Sequence, residues 1–303
     1  MKVIRRARRS KGRTVSILAA FCYLLLVGYL ALAVHEAAGP PDAAALGAPP
    51  LASVVAVGET RWKSGGPLIA VVIDDLGIDE RRTREAIALP AAVSLSFLPY
   101  GDGTPLLSRE AHLAGHEIIA HLPMEPDGGA DPGPMALRLA HSPAEIESRI
   151  AWALSRVAHF DGVNNHMGSR FTSSRAALAP VMRALALRGV YFLDSRTTAE
   201  SLAESAAREA GLLAGARDVF LDDTDDRISV ARELARAESQ ASLAGSAIAV
   251  GHPRPETLAA LKHWIGEMEL RGYRLVPVSA VLRRRSGAAA QTSQIAPMLS
   301  PQG

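Results

Sequence analysis

Short apolar runs rich in β-branched residues alternate with amphipathic stretches from Pro67 onward, and this alternation constrains the fold most strongly. The runs are almost continuously apolar, as is typical of strands buried on both faces of a parallel sheet. Seven or eight strand–helix units in about 215 residues favour a barrel over an open sheet. The predicted strands are 68–74, 92–98, 116–122, 162–165, 190–194, 218–221, 247–251 and 274–278, and helical spacing marks 144–158, 174–187 and 227–243.

Polar residues gather at the carboxyl ends of the predicted strands, the end at which parallel barrels carry their active sites. A lone Asp there is most often the N-cap of the next helix, and a lone His is most often a packed residue. Polar ends on six strands of one rim favour a functional site instead. The residues are Asp74, Asp75, His121, Glu125, Asn164, Asn165, His166, Asp194, Ser195, Arg196, Asp222, Asp223 and His252.

These residue types suit metal-assisted hydrolysis. Imidazole and carboxylate bind Zn²⁺ or a similar divalent ion, which activates water and polarises a carbonyl group. A carboxylate beside the metal can take a proton from the water, and a histidine opposite can protonate the leaving group. The sequence has neither the G-x-S-x-G elbow of serine hydrolases nor a glycine-rich phosphate loop.

Six segments, in this order and spacing, resemble the divergent polysaccharide deacetylase family. The resemblance covers about residues 68–282 and implies a remote branch of the polysaccharide deacetylase fold, a distorted (β/α)7–8 barrel that holds a divalent metal. The segments are AVVIDDLG (70–77), AGHEIIAHLPMEP (114–126), GVNNHMGSRFT (162–172), YFLDSRTT (191–198), RDVFLD (217–222) and IAVGHPRPETL (248–258).

The resemblance implies a role for individual residues. Asp74 matches the catalytic base, Asp75 and His121 match metal ligands, and His252 matches the general acid. His166 is the expected third ligand of a divalent ion for which zinc is the first choice. Glu125 is held in reserve for that role, and the expected substrate contacts are Asn164, Asn165, Asp194, Ser195 and Arg196.

Two departures from the ordinary deacetylase pattern leave two functions open. Glu125 stands where a second metal-binding histidine is usual, and Asn164 lies near the place of an arginine that orients the base. One function is a metal-dependent hydrolase of amide C–N bonds that deacetylates an envelope polysaccharide such as peptidoglycan. The other is a catalytically weak or inactive deacetylase-like module that binds glycan or an envelope protein.

The N-terminus predicts a location outside the cytoplasm. Residues 15–34 form an uncharged run of twenty, long enough to cross a bilayer, and basic residues precede it. We expect residues 1–34 to anchor the chain by one span in the inner membrane, with the body in the periplasm. The sequence Ala31-Leu32-Ala33 allows cleavage and secretion instead. Residues 35–66 are read as a linker, 67–283 as the domain and 284–303 as a disordered tail.

The charge distribution argues against a nucleic-acid partner. Seven of the 33 basic residues and none of the 31 acidic residues lie in the first 13 positions. The remainder therefore carries 26 basic and 31 acidic residues, a net charge of −5, whereas nucleic-acid-binding domains are basic. Cys22 is the single cysteine and lies in the apolar run, so the body has neither a disulfide nor a thiol nucleophile.

Overall fold

The computed structural model describes residues 65–295, with side chains for residues 65–287. Strands and helices alternate along this part of the chain. The strands are β1 Leu68–Leu76, β2 Ser94–Phe97, β3 Ile118–Met124, β4 Gly162–Met167, β5 Tyr191–Asp194, β6 Ala214–Ala216, β7 Val219–Phe220, β8 Ser246–Gly251 and β9 Arg274–Leu275. The helices are α1 Glu80–Ile87, α2 Thr104–Leu113, α3 Pro143–Arg156, α4 Arg175–Ala186, α5 Ala203–Glu209, α6 Arg227–Ala244, α7 Pro255–Met268 and α8 Val278–Ile295.

All strand pairs are parallel, in the order β6-β5-β4-β3-β2-β1-β8-β7, with β9 beside the start of β1. The predicted parallel α/β sheet is therefore confirmed. The sheet is a curled half-barrel, since its edge strands β6 and β7 form no ladder with each other. Only Arg217 and Asp218 separate the two edges, and their N–H groups donate to the carbonyls of Asp194 and Ile248, 2.9 Å away in each case. These two residues thus connect the unpaired edge strands β6 and β7 through backbone hydrogen bonds to their neighbours β5 and β8.

Apolar side chains on both faces of the strands hold the sheet in place. One core lies between the outer face of the sheet and the helices, and it includes Ile69, Val71 and Ile73 of β1. The alternate residues of β1 join β3, β5, β8 and the start of α8 in a second core on the inner face. Because each fully buried aliphatic side chain contributes roughly 1.5–3 kcal/mol, the two cores together favour a sheet that is covered on both sides.

Polar caps start several helices directly after the strand-end loops. The side chains of Asp79, Ser142, Ser174 and Asp226 accept from the first-turn backbone N–H groups of α1, α3, α4 and α6. At Ser142 the cap is reciprocal, because the Glu145 carboxylate accepts from the Ser142 N–H. These caps fix where each loop ends, and therefore how far the strand-end side chains lie from the helices.

The structure differs from the sequence interpretation in two places. The three-residue strand β6 was not predicted, since it is too short to show alternation. Helix α8 continues to Ile295, where a disordered tail was expected from residue 284; its first turns are held by Val281 and Leu282 in the inner core and by an ion pair of Arg285 with Asp218 (2.6 Å). Within residues 65–295 no helix is long and apolar enough to cross a membrane. The predicted span at 15–34 and most of the linker lie outside the described residues.

Candidate metal centre at the strand ends

The end of β1 places two adjacent carboxylates at one rim. Side chains alternate along a strand, yet a register shift between Ile73 and Leu76 interrupts the pairing of β1 with β2. At this irregularity Asp75 adopts a left-handed conformation with φ of 59°, which is uncommon for a residue other than glycine. The distortion costs of order 1–3 kcal/mol, and such outliers concentrate at functional sites.

Asp75, His121 and His166 converge on one point. Asp75 Oδ1 lies 3.2 Å from His121 Nε2 and 2.9 Å from His166 Nδ1, and the three ligand atoms are within 4.8 Å of one another. Although the nitrogens are close, Asp75 Oδ1 is buried without an aligned hydrogen bond. Two nitrogens and one carboxylate oxygen directed at a common point form a donor set that fits a divalent cation such as zinc.

The two imidazoles also set the ionisation of Asp75. Burial raises the pKa of this carboxyl, but the His121 and His166 contacts and charges outweigh burial and hold the pKa well below its usual range. Burial lowers the pKa of His121, and the neighbouring charge of Asp74 and the contact with Asp75 more than offset it, so that the His121 pKa lies above its ordinary value. The carboxylate is therefore ionised at neutral pH and ready to bind a cation.

Asn164, fully buried on β4, orients both Asp74 and His121. Its Nδ2 donates to Asp74 Oδ1 (2.8 Å), and its Oδ1 accepts from Ser96 Oγ (2.8 Å) and lies 2.7 Å from His121 Nδ1. Because the amide oxygen can only accept, His121 Nδ1–H is the donor, and the neutral ring offers the lone pair of Nε2 on the side of Asp75. Such a partner fixes the tautomer and the ring direction of a metal-binding histidine.

A histidine–aspartate pair stands beside the carboxylates, after β8. His252 Nδ1 is 3.0 Å from Asp222 Oδ1, while Asp222 Oδ2 accepts from His252 N (2.7 Å) and from Thr257 Oγ1 (2.9 Å). His252 Nε2 faces Asp75 Oδ2 at 3.7 Å. Burial lowers the pKa of His252, but the hydrogen bond and charge of Asp222, with the charge of Asp75, raise the pKa above its usual value.

Arg217 joins the ends of β5 and β7 next to these groups. Its guanidinium donates from Nε to the Ser195 carbonyl (2.8 Å) and from a terminal nitrogen to the Arg196 carbonyl (2.9 Å), and it lies 4.8 Å from the Phe220 ring centroid. Burial lowers the Arg217 pKa, and the charges of Asp74 and Asp194 act in the opposite direction. Arg217 thus places a positive charge near Asp74, although β4 carries Asn164 near the position at which ordinary deacetylases have an arginine.

Three of the five predicted substrate contacts are buried in structural roles. Asn164 is committed to the interactions above, and Asn165 is paired with Ser195 N and the Met167 carbonyl. Asp194 is fully buried, accepts from Arg196 N, and accepts from Ser201 Oγ ahead of α5. Of the five, only Arg196 is exposed, and Ser195 is 6% exposed.

Glu125, the reserve ligand, lies outside the cluster. Its Oε1 pairs with Arg170 (2.8 Å) and its Oε2 accepts from Leu139 N (2.7 Å), so the carboxylate holds the loop after β3. The reserve role is therefore not supported. His116 is buried with its ring nitrogens 2.8 and 2.9 Å from two backbone carbonyls, as expected for a packed residue.

Sequence reasoning missed the roles of Asp222 and Arg217. Asp222 was noted at a strand end, but nothing in the sequence pairs it with His252, thirty residues later. The segment RDVFLD carries both residues, and its position in the family resemblance was the available signal. The pairing itself depends on β7 and β8 being neighbours, which only the fold shows.

The curled sheet and the Asp/His cluster at the carboxyl ends of its strands define an α/β protein with a candidate metal site at one rim. The model of the family "Divergent polysaccharide deacetylase" matches residues 71–282. The chain belongs to this family.

Relatives support this assignment without adding an activity. An Escherichia coli (strain K12) protein, "Uncharacterized protein YibQ", is 37% identical over 197 residues, which are 65% of this chain and 62% of that protein's length. An uncharacterized Haemophilus influenzae protein is 36% identical over 194 residues, 64% of this chain and 69% of its own. The crystal structure of the uncharacterized Agrobacterium tumefaciens protein ATU2773 superposes with a TM-score of 0.70 at 33% identity, covering 73% of this chain and 91% of that one.

Proposed function

We propose that the protein is a metal-dependent hydrolase that removes N-acetyl groups from an envelope polysaccharide such as peptidoglycan. The observation that carries the proposal is Asp75 Oδ1, a buried anionic oxygen without an aligned hydrogen bond, directed at the nitrogens of His121 and His166. Asp74 and His252, the two groups suited to proton transfer, flank this point. The family supports an acetylated glycan as the class of substrate.

Asp75, His121 and His166 would hold the ion, and their N,N,O donor set favours zinc. When bound, a divalent ion there supplies a Lewis acid that polarises the acetyl carbonyl and lowers the pKa of water. With three protein ligands, the donor set corresponds to catalytic rather than structural zinc sites. The side chains around it supply the proton transfers.

Asp74 acts as the general base that accepts a proton from the attacking water. Asn164 Nδ2 holds Asp74 Oδ1 and leaves Oδ2 for the proton, since no other side chain donates to Oδ2 among the described residues. The base therefore has a fixed direction, as general base catalysis requires.

His252 acts as the general acid that protonates the leaving amine. Asp222 holds its Nδ1 and leaves Nε2 pointing toward the Asp75 carboxylate, the side at which substrate must lie. Because the His252 pKa is raised, the imidazolium form persists to higher pH than in an isolated histidine. The proposed role requires that the ring carries this proton when the C–N bond breaks.

Acetate release tests the proposal. The purified full chain, loaded with zinc, is incubated with N-acetylated chitooligosaccharides and with peptidoglycan, and acetate is measured enzymatically. We expect turnover by the wild type, loss in Asp74→Asn, and retention in Asp223→Asn, a matched control whose exposed carboxylate lies beside Asp222. Turnover that survives both Asp74→Asn and His252→Ala would contradict the assigned roles.

A second candidate is an inactive module that binds glycan or an envelope protein. The observation that favours it is the nearly complete burial of Asp74, which is 3% exposed and held by Asn164 where an arginine is usual. This candidate predicts no acetate release by the wild type and glycan binding that survives Asp74→Asn. Binding by both proteins without turnover would decide in its favour.

We also propose an extracytoplasmic location for the domain. Seven basic residues precede the uncharged residues 15–34, and positive charge is retained on the cytoplasmic side. A reporter that is active only in the cytoplasm, fused after Gly303, is expected to be silent, and a reporter active only in the periplasm is expected to work. Strong cytoplasmic activity would contradict the topology.

A further inference from the structure

Four leucines are strongly exposed at the ends of helices. Leu113 closes α2, Leu187 follows α4, Leu243 lies in the last turn of α6 and Leu270 follows α7. They are 79%, 84%, 87% and 89% exposed, respectively. Single exposed leucines are ordinary, but four in equivalent positions of four strand–helix units form a pattern.

Chain connectivity places all four at the same edge of the sheet. Each leucine precedes the first residue of a strand by three to five positions: β3, β5, β8 and β9 begin at Ile118, Tyr191, Ser246 and Arg274. Since extended chain spans at most about 3.6 Å per residue, each lies within about 18 Å of a strand start. These four leucines, called the leucine rim below, therefore surround the edge opposite Asp75.

Three arginines that form no ion pair lie at the same edge. Arg188 follows Leu187, and Arg188 and Arg283 line a cavity of about 570 Å³ at the strand starts together with Glu117 and Asp161. Arg188 donates to the Ala184 carbonyl and Arg283 to Ser279 Oγ (2.6 Å), and Arg284 lies beside Gly245. None of the three arginines forms an ion pair within the part of the chain for which side chains are described. Exposed leucines next to guanidinium groups that form no ion pair suit a surface that binds anionic lipid.

The chain also enters the domain at this edge. Gly66 packs against the backbone of Gly272, two residues after Leu270, and β1 begins at Leu68. Upstream, the sequence carries the uncharged residues 15–34, and residues 35–66 separate them from β1. The edge from which the chain would lead to a bilayer is thus the one that carries the leucine rim.

We propose that the leucine rim and its arginines rest against an anionic bilayer surface and turn the Asp75 edge away from the membrane. The proposal rests on the proposed membrane anchor at residues 15–34, not on catalysis. In this orientation the metal centre meets polymer that lies beyond the membrane surface. A glycan strand is reachable there, whereas a lipid-linked sugar at the bilayer surface is not.

Site-specific fluorescence in vesicles tests this orientation. The full chain carrying Cys22→Ser is labelled with a nitrobenzoxadiazole dye at Leu187→Cys, and separately at Ile228→Cys. Ile228 is the matched control because it is 82% exposed and lies in the first turn of α6, eight residues after the carboxyl end of β7. The proteins are reconstituted in phosphatidylcholine–phosphatidylglycerol vesicles that contain lipids with acyl-chain quenchers.

We expect the dye at 187 to lose most of its fluorescence and the dye at 228 to lose almost none. In vesicles of phosphatidylcholine alone, the loss at 187 is expected to fall because the arginines lack anionic headgroups. Equal losses at both positions, or no loss at 187 in protein that remains with the vesicles, would overturn the docking surface alone. Disulfide formation between two copies of the unlabelled Leu187→Cys protein, without quenching in the labelled protein, would assign the rim to a second copy. Protein that does not remain with the vesicles would overturn the anchor and the docking surface together.

Discussion

The two ends of the sheet each hold a partly buried carboxylate, and the two carboxylates differ in whether hydrogen-bond donors surround them. At the strand starts, Glu117 accepts from Ser94 Oγ (3.0 Å), Tyr191 OH (2.9 Å) and Ser279 N (3.2 Å). At the strand ends, Asp75 Oδ1 is approached by imidazole nitrogens and has no aligned hydrogen bond. The protein therefore satisfies one carboxylate itself and leaves the other for a ligand.

Their pKa values follow from this difference. Burial raises the pKa of Glu117, and its hydrogen bonds only reduce that rise. The imidazoles lower the pKa of Asp75 in spite of burial. A carboxylate enclosed by neutral donors has a structural role, whereas one kept ionised among histidines is prepared for a cation.

Asp74→Asn has the largest expected effect. The amide fills the same space and can still accept the hydrogen bond from Asn164, but it cannot take up a proton. Acetate release should therefore fall by about 10²–10⁴-fold. Zinc content and thermal stability should remain close to wild type, because Asp74 is not in the ligand cluster. Steady-state kinetics with metal analysis of the same sample checks this. Loss of metal along with activity would show that Asp74 belongs to the ligand set.

Asp222→Asn is expected to reduce kcat by about 10–100-fold, as for other partners that orient a functional histidine. Asp222 accepts hydrogen bonds on both carboxylate oxygens. The NH₂ group of the asparagine would therefore face either the donors His252 N and Thr257 Oγ1 or the ring nitrogen His252 Nδ1. The variant also removes the charge that raises the His252 pKa. Since activity requires protonated His252 and is lost as pH rises through its pKa, the alkaline limb of the pH profile should shift to lower pH. Asp223→Asn is the control, and an unshifted limb would remove the histidine from proton transfer.

Arg217→Gln is expected to lower kcat by about tenfold, which is the lower end of the effects seen when a residue that supports the functional side chains is replaced. The variant removes the cation near Asp74 and the forked contact with the Ser195 and Arg196 carbonyls. Arg217→Lys should restore little, because a single ammonium cannot reproduce the fork. Arg232→Gln, on the exposed face of α6, is the matched control. Full activity of Arg217→Lys would mean that charge alone matters at this position.

Glu117→Gln has the smallest expected effect and none on acetate release. Because the folded-state pKa of Glu117 is raised, its stabilising contribution is complete below the unfolded-state pKa and is lost as pH rises through the folded-state value. Urea unfolding at acidic and neutral pH should therefore show that the wild type loses free energy of unfolding, relative to the variant, as pH rises. A change in the opposite direction would contradict the contrast between the two ends.

The sequence predicted the elements that periodicity determines. Runs such as that of β1 are apolar at nearly every position, so the parallel sheet and the rim of Asp74, Asp75, His121 and His252 followed from position alone. Strand β6 and the helix beyond residue 284 were missed. Strand β6 is too short to show alternation, and the helix is held by the ion pair of Arg285 with Asp218 and by the inner core rather than by a local pattern.

The finer arrangement of the site could not be predicted. Asn164 bonds to Asp74 across 90 residues of sequence, and the choice between contacting substrate and orienting the base depends on side-chain direction. Glu125 likewise turns to Arg170 and the backbone of Leu139, although its spacing from His121 matches that of a metal ligand. Spacing places a residue on the rim, and only packing decides what its side chain contacts.

Titration of the metal-free full chain with zinc, followed by elemental analysis after gel filtration, measures whether the strand ends bind a metal ion. We expect about one retained ion per chain, as for a three-ligand site. Asp75→Asn and His166→Ala should lose it, while Glu125→Gln should keep it. Wild-type protein without retained metal, or equal retention in Asp75→Asn, would contradict the account.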